Sequence, residues 1–403
     1  MPQRSRSEKN QLTVFHLAQP VDGGVARLVT DLVRAQVAEG FLTVLACPPG
    51  GTLASDAAAA GARVHTWSAV GAPGLPLAGE VLTAARLIRR NSPHLVHAHS
   101  AKAGLAARLA VRGRVPTVFQ PHAWSFDALE GRAAGLALKW ERYGTRWATR
   151  TLCVSEAERS AGEQAGIAAR WAVIRNGIDL SHFSHDDTLS GASARAALPQ
   201  LDHIPAAAPL VVCVGRLCRQ KGQDILLRAW PQVSAAVTDA HLVLVGDGPD
   251  REALTRLAPP GVVFAGECRD TRPWFRAADV AVFPSRWEGM ALAPLEAMAC
   301  GLPVVLSDVS GARESLPPGH ESFGLVPSQN PPALAAALTT LLSGSELRQS
   351  LGRQARTHAR ATHDVRETAA AVSRLYRELL HHLPPRQELL GPARHTTRRR
   401  TQR

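Results

Sequence analysis

Lysine is nearly missing from this chain of 403 residues: Lys9, Lys102, Lys139 and Lys221 are its whole share of 46 basic residues. Arginine takes the rest, the pattern of GC-rich coding, so the formal net charge of +12 says little about partners. Aromatics are also scarce, at 5 %. A nucleic-acid-binding protein would cluster its basic residues and interleave aromatics; here the arginines are dispersed, and that class is left as a remote alternative. The six cysteines, Cys47, Cys153, Cys213, Cys218, Cys268 and Cys300, contain no C-x-x-C pair. They read as buried free thiols of a reducing compartment. No stretch approaches the roughly 20 apolar residues of a spanning helix. The polar, Arg-rich N-terminus has no apolar signal core. The expectation is a cytoplasmic protein, peripheral on the inner face of the cell membrane at most. A dinucleotide-dependent oxidoreductase would need G-x-G-x-x-G after an early strand, and DGGVAR (22–27) does not supply it.

What the chain does contain is a repeated alternation. With 45 % hydrophobic residues and 20 % charged it is globular, and its length favours two domains. Short apolar runs at 12–18, 42–47, 63–67, 94–99, 116–122, 151–155 and 172–176 each lead into a helix-like segment. The texture breaks over 181–209, rich in Ser, Asp, Pro and Ala, which reads as a linker. The alternation then restarts at 209–215, 241–246, 262–266, 279–285, 303–308 and 323–328, and 332–381 reads as helical. Continuous apolar strands alternating with helices imply parallel sheets covered on both faces. The predicted architecture is α/β, with two Rossmann-like doubly wound domains facing each other across a cleft. Its parts are a disordered basic tail at 1–10, a first Rossmann-like domain at 11–190 and a second at 191–365. A C-terminal helix at 366–383 is placed to cross back, and a disordered Arg-rich tail fills 384–403.

Open α/β sheets bind ligands beyond the carboxyl ends of their strands, so the polar residues there matter most. Gly23 and Gly24 follow the first strand and open a helix; glycine there lets backbone approach a phosphate, although ordinary turn chemistry is the commoner reason for such a pair. The two histidines of HAHS (97–100) are expected on opposite sides of their strand, and no metal site is expected there. His122 ends the fifth strand beside Trp124. In the second half, Arg216 directly follows a strand and Lys221 sits at the mouth of a helix, where two cations suit an anion. In SRWEGMALAPLEAMACGLPVV (285–305), Pro294 reads as the first helical residue. Glu296 then falls in the first turn and Glu288 in the glycine-flanked loop before it. Cations and amides for an anionic middle, with carboxylates for hydroxyls at both ends, suit a nucleotide-sugar. In GRAAGLALKWERYGTRWATR (131–150), Leu136, Trp140, Tyr143 and Trp147 recur at helical spacing beside Lys139, Arg142, Arg146 and Arg150. This stripe packs on the sheet in one reading and touches an anionic membrane in the other.

VGRL…QKGQD, LVLVGDGP, VVFAGE and above all SRWEGMALAPLEAMACGLPVV, together with DGG, HAHS, PHAW, VSE and RNGID, resemble the family 4 glycosyltransferases, retaining enzymes of the GT-B fold. The pattern covers nearly the whole chain, and the spacing of Glu288 and Glu296 matches the family's donor-site signature. The resemblance implies that Arg216 and Lys221 hold a donor diphosphate and that Glu288 meets hydroxyls of the transferred sugar. It further implies that Glu296 takes the ribose hydroxyls, and that Gly24 and the amides of Met290, Ala291 and Leu292 approach the phosphates. His122 would lie near the sugar, and the segment Gly266, Glu267 and Cys268 would flank the nucleobase. Met290 and Ala291 depart from the Phe or Gly frequent in the family. No D-x-D occurs, so neither a metal nor another cofactor is expected. The implied partners are a UDP- or GDP-sugar and a hydroxyl acceptor, lipid-linked or part of a cell-surface polysaccharide. A soluble small-molecule acceptor is the alternative.

Overall fold

The structure, a computed structural model, describes residues 11–69, 76–183 and 191–381, without the side chains of residues 191 and 192. The two tails read at 1–10 and 384–403, and the end of the helix read at 366–383, lie outside the described residues. Seven strands form the first sheet: β1 (Thr13–Ala18), β2 (Leu42–Cys47), β3 (Arg63–Thr66), β4 (Leu95–His99), β5 (Thr117–Gln120), β6 (Arg150–Cys153) and β7 (Trp171–Val173). Their order is β3-β2-β1-β4-β5-β6-β7. Six strands form the second: β8 (Leu210–Val214), β9 (His241–Val245), β10 (Val262–Gly266), β11 (Val280–Phe283), β12 (Val304–Asp308) and β13 (Leu325–Pro327). Their order is β10-β9-β8-β11-β12-β13. Neighbouring strands run parallel in both.

The all-apolar runs become central strands because helices cover both sheet faces, so β1, β4 and β8 are buried along their whole length. Around the second sheet one core gathers Val212, Val243, Leu295 and Met298, and another gathers Val211, Leu226, Trp230 and Leu338 on the opposite side. The order reverses between β1 and β4 in one sheet and between β8 and β11 in the other. At such a switch point two crossovers leave in opposite directions, and the strand ends between them frame a crevice.

One expectation needed revision. The segment 181–209 is not simply a connector. Gly191–Ala196 is helical, and Ala194, Leu198, Leu201, Ile204 and Ala208 enter the core that holds Val212 and Met298. Buried Arg195 ties it down, donating to the carbonyls of Ala277 (2.7 Å) and Ala208 (2.6 Å) and pairing with Asp279 (2.9 Å). Its short apolar contacts, spread among polar residues, show no period to read. The helical tract at 332–381 is three helices, Pro331–Ser343, Ser345–Thr362 and Val365–His381. The last returns to the first sheet, where Ala369, Val372, Leu375, Tyr376 and Leu379 pack with Val14, Leu32, Leu95 and Val118. No helix among the described residues is long and apolar enough to cross a membrane. All six cysteines are free, with Cys47, Cys153, Cys213 and Cys300 buried.

Candidate active site

The two switch points bring the candidate residues together. Beyond β8 the chain makes a tight turn at Arg219–Lys221 and enters the helix Gln223–Ala236 through Gly222. Gly222 has φ +66°, and a Cβ there would meet the Pro284 carbonyl oxygen at 2.1 Å, so only glycine brings this turn against the end of β11. Lys221 Nζ thereby reaches Glu288 Oε1 at 2.5 Å. Ser285 Oγ donates to the same oxygen at 2.9 Å, and Gln220 Nε2 donates to the Trp287 carbonyl at 3.1 Å. Lys221, Ser285, Glu288 and Ala291 border a small cavity of about 20 Å³. An ammonium carries three donors, so Lys221 keeps N–H groups beyond the one on Glu288. Arg216 lies apart from this cluster in its bonding: its carbonyl accepts from Gln223 Nε2 at 3.0 Å, and its side chain is exposed.

The helix after the loop spans Leu292–Ala299, with Ala291 as its N-cap. It starts two residues before Pro294, because a proline lacking its N–H is accommodated anywhere in a first turn whose N–H groups are unbonded. Glu296 is therefore two residues further in than its sequence reading, past the first turn, and buried. Arg27, from the first-domain helix Gly23–Ala38, forms an ion pair with Glu296 Oε1, and Thr271 Oγ1 donates to Oε2 at 3.2 Å. Gly23, with φ +77°, opens that helix, and Gly24 faces Leu292: a Cβ on Gly24 would meet Leu292 Cγ at 3.5 Å. Gly266 ends β10 with φ +79°, Glu267 is exposed and Cys268 is half-buried. Burial pushes the Cys268 thiol up to about 11, with Asp270 acting in the same sense and Arg27 against it. Cys268 thus sits on the Arg27–Glu296 side of the cleft.

The loop 288–291 docks directly on the first domain. Ser155 Oγ donates to the Gly289 carbonyl at 2.9 Å, and Asn176 Nδ2 donates to the Met290 carbonyl at 2.7 Å. A Cβ on Gly289 would lie 2.7 Å from Val154 Cγ2 and 2.9 Å from the His122 carbonyl carbon. His122 therefore abuts the donor-side loop. Its backbone, at φ +59°, and that of Ala123, at φ +140°, hold conformations that side chains disfavour. Beneath them is Glu158, fully buried, whose Oε2 accepts from the Val154 amide at 2.7 Å. Burial pushes its carboxyl up to about 8.

The expectation for HAHS was wrong. Side chains alternate along a strand, so residues two apart share a face. His97 and His99 stand on the same side with ring centroids 4.0 Å apart, and His16 of β1 joins them. The ring nitrogens of His16, His97 and His99 include one from each within 4.8 Å of one another. The sequence reading also missed Arg27, Thr271, Ser285, Ser155 and Asn176. Arg27 is 269 positions from its partner, a separation that leaves no local signal.

A family model described as Glycosyltransferase Family 4 matches residues 22–182, and one described as Glycosyl transferases group 1 matches residues 208–344. Between them they take in every strand but β1, and every residue of the cleft described above except His16 of that strand. The chain belongs to the family 4 glycosyltransferases. Among curated relatives of this family member is a lipopolysaccharide core biosynthesis mannosyltransferase of Rhizobium leguminosarum bv. viciae. It is 29 % identical over 248 residues, 59 % of this chain and 67 % of the relative. A GDP-mannose-dependent monoacylated alpha-(1-6)-phosphatidylinositol monomannoside mannosyltransferase of Corynebacterium glutamicum is 34 % identical over 201 residues, 47 % of this chain and 51 % of the relative. The matched region thus spans from half to two thirds of these relatives. Anabaena HepE, solved in complex with UDP and glucose, superposes with a TM-score of 0.77 at 22 % identity, covering 91 % of this chain and 100 % of that one. That likeness carries the fold, GT-B, with its two doubly wound sheets.

Proposed function

We propose that this glycosyltransferase moves a hexose from a UDP- or GDP-sugar to a hydroxyl of a cell-surface polysaccharide or glycolipid precursor, with retention of configuration and without a metal. The observation that carries the proposal is Lys221 held on Glu288 at the β8/β11 switch point, with His122 against the same loop. A departing nucleoside diphosphate gathers negative charge. Groups already oriented toward that charge stabilise the transition state more than the bound donor. Lys221 is oriented by Glu288, the Leu292 helix presents unbonded amides at Ala291 and beyond, and exposed Arg216 supplies a second cation. Glu288 then meets sugar hydroxyls as a ligand, not as a nucleophile. Glu296 takes the ribose in exchange for Arg27, with Gly266, Glu267 and Cys268 beside the base and Gly23 and Gly24 near the phosphates. The names of the two relatives, which act on a lipopolysaccharide core and a phosphatidylinositol mannoside, support a lipid-linked acceptor over a soluble one. Exposed Leu129, Leu136 and Tyr143 beside Arg132, Lys139 and Arg146 suit a weak peripheral contact with an anionic membrane.

The test is turnover of the purified chain against UDP-, GDP- and dTDP-sugars with EDTA present. Arg216→Ala and Lys221→Ala should each lower transfer about 10- to 100-fold, one charge-assisted hydrogen bond each. Transfer within about twofold of the parent in both variants would remove the phosphate-binding role.

A further inference from the structure

A chain of buried side chains runs from the back of the first sheet to the cleft. Gln36 lies on the helix Gly23–Ala38, His16 in β1, His99 in β4 and His122 after β5. Gln36, His16 and His99 are inaccessible to solvent. β1 and β4 are parallel neighbours with His16 opposite His97 and Ala18 opposite His99, which aligns the imidazoles on one face. His16 Nε2 is 2.8 Å from Gln36 Oε1, His16 Nδ1 is 3.0 Å from His99 Nε2, and His99 Nδ1 is 3.2 Å from His122 Nε2. His122 Nδ1 has no hydrogen-bond partner among the described residues, and it is not among the enclosed polar atoms that lack one. It is the open end of the chain.

A neutral imidazole has one N–H and one lone pair. Burial keeps these rings neutral: His16 is lowered to about 4, His122 to about 3, and His99 well below its ordinary value. Neutrality makes each link dictate the next. An amide oxygen only accepts, so His16 carries its proton on Nε2 and turns a lone pair toward His99. His99 must then donate from Nε2, and its Nδ1 is left to accept. His122 must in turn donate from Nε2, which leaves a lone pair on Nδ1. Apolar residues at these buried positions would cost less desolvation, whereas polar ones carry a direction.

We propose that Gln36, acting through His16 and His99, sets the tautomer of His122, so that His122 offers the cleft a lone pair and binds a ligand through that ligand's hydroxyl. Gln36, His16 and His99 are positioning residues. The left-handed backbone of His122 and Ala123 fixes where the lone pair points. Only the consequence for a sugar hydroxyl rests on the proposed function; the tautomer does not.

The experiment is ¹⁵N NMR of the full-length protein labelled at histidine, with His122 assigned by its absence in His122→Gln. The parent should show His122 protonated at Nε2 alone. Gln36→Met, three residues upstream in the relay, and His99→Leu should each shift the tautomer ratio about tenfold or more, the weight of one hydrogen bond. A parent protonated at Nδ1, or a ratio unmoved by Gln36→Met, overturns the proposal. The parent spectrum decides the direction even where a variant fails to fold. Donor binding is measured on the same samples. A shifted tautomer with unchanged nucleotide-sugar affinity would uphold the relay and remove His122 from the sugar site. Absent transfer with the expected spectra would count against the proposed function alone.

Discussion

Lys221 stands out in a chain whose other basic residues are almost all arginine, because the two cations differ in shape. An ammonium is a compact point charge, and a guanidinium is a flat fork. A cavity of about 20 Å³ beside Glu288 and Ser285 suits the first. Lys221→Arg is therefore expected to keep the charge and still lower transfer about tenfold, checked by steady-state kinetics against Lys221→Ala. Gly289 is constrained from two directions, by Val154 and by the His122 backbone. Gly289→Ala should push the loop off the first domain and cost roughly 1–3 kcal/mol in thermal stability, with transfer lost in step. At this scale the types were legible and the partners were not. Glycines, a lysine and two acids stood out from the composition, but nothing near Glu296 announces Arg27. HAHS failed for another reason: the alternation rule for strands was applied with the wrong parity.

Among the elements, the apolar strands and their order of appearance were readable, because a run of five or six apolar residues between glycines and prolines has few other uses. Helix starts were less so. The helix Leu292–Ala299 begins where the docked loop ends, and that point is set by Asn176 and Ser155 holding the backbone, not by Pro294. The closing helix Val365–His381 is the clearest dependence of one element on a distant one. Tyr376 is fully buried against the first sheet, and its hydroxyl lies 2.5 Å from His97 Nδ1. Tyr376→Ala should cost about 3–5 kcal/mol in urea denaturation, the range for emptying an aromatic site in a core. Tyr376→Phe should cost much less, about 1 kcal/mol for the one hydrogen bond.

The whole molecule is joined across its cleft by the Arg27–Glu296 pair, by the docked loop 288–291 and by Glu314. Glu314 of the second domain accepts from the amides of Glu156 and Ala157 at 3.0 and 2.8 Å and pairs with Arg175 at 3.0 Å, so it caps a first-domain helix. Glu314→Ala is expected to loosen the domains, read as a larger radius of gyration by solution scattering, with little loss in either core. Stability should also depend on acid. His16, His122 and His363 are held down to about 4, 3 and 4, from an ordinary 6.5, and His97 and His99 move the same way. The unfolded chain takes up those protons near 6.5 and the folded one does not. Stability is then fully present above 6.5 and drains as the pH falls toward 4. Glu158, raised to about 8, acts in the opposite sense from its ordinary 4.5 up to 8, and the raised Asp31, Asp127 and Glu141 act with it, while the lowered His241 and His358 join the other histidines. The melting midpoint should fall steadily between pH 6.5 and 4, and a flat profile there would contradict neutral buried histidines. By itself the sequence determined two α/β halves, their thirteen strands and the family, because burial patterns and turn chemistry act over a few neighbouring residues. Only the tertiary structure decided that Arg27 holds Glu296, that Lys221 is paired before any phosphate meets it, and that three residues from three elements line up behind His122. Parallel crossovers carry residues far apart in the chain to one strand edge, and the docking of two sheets selects which of them touch.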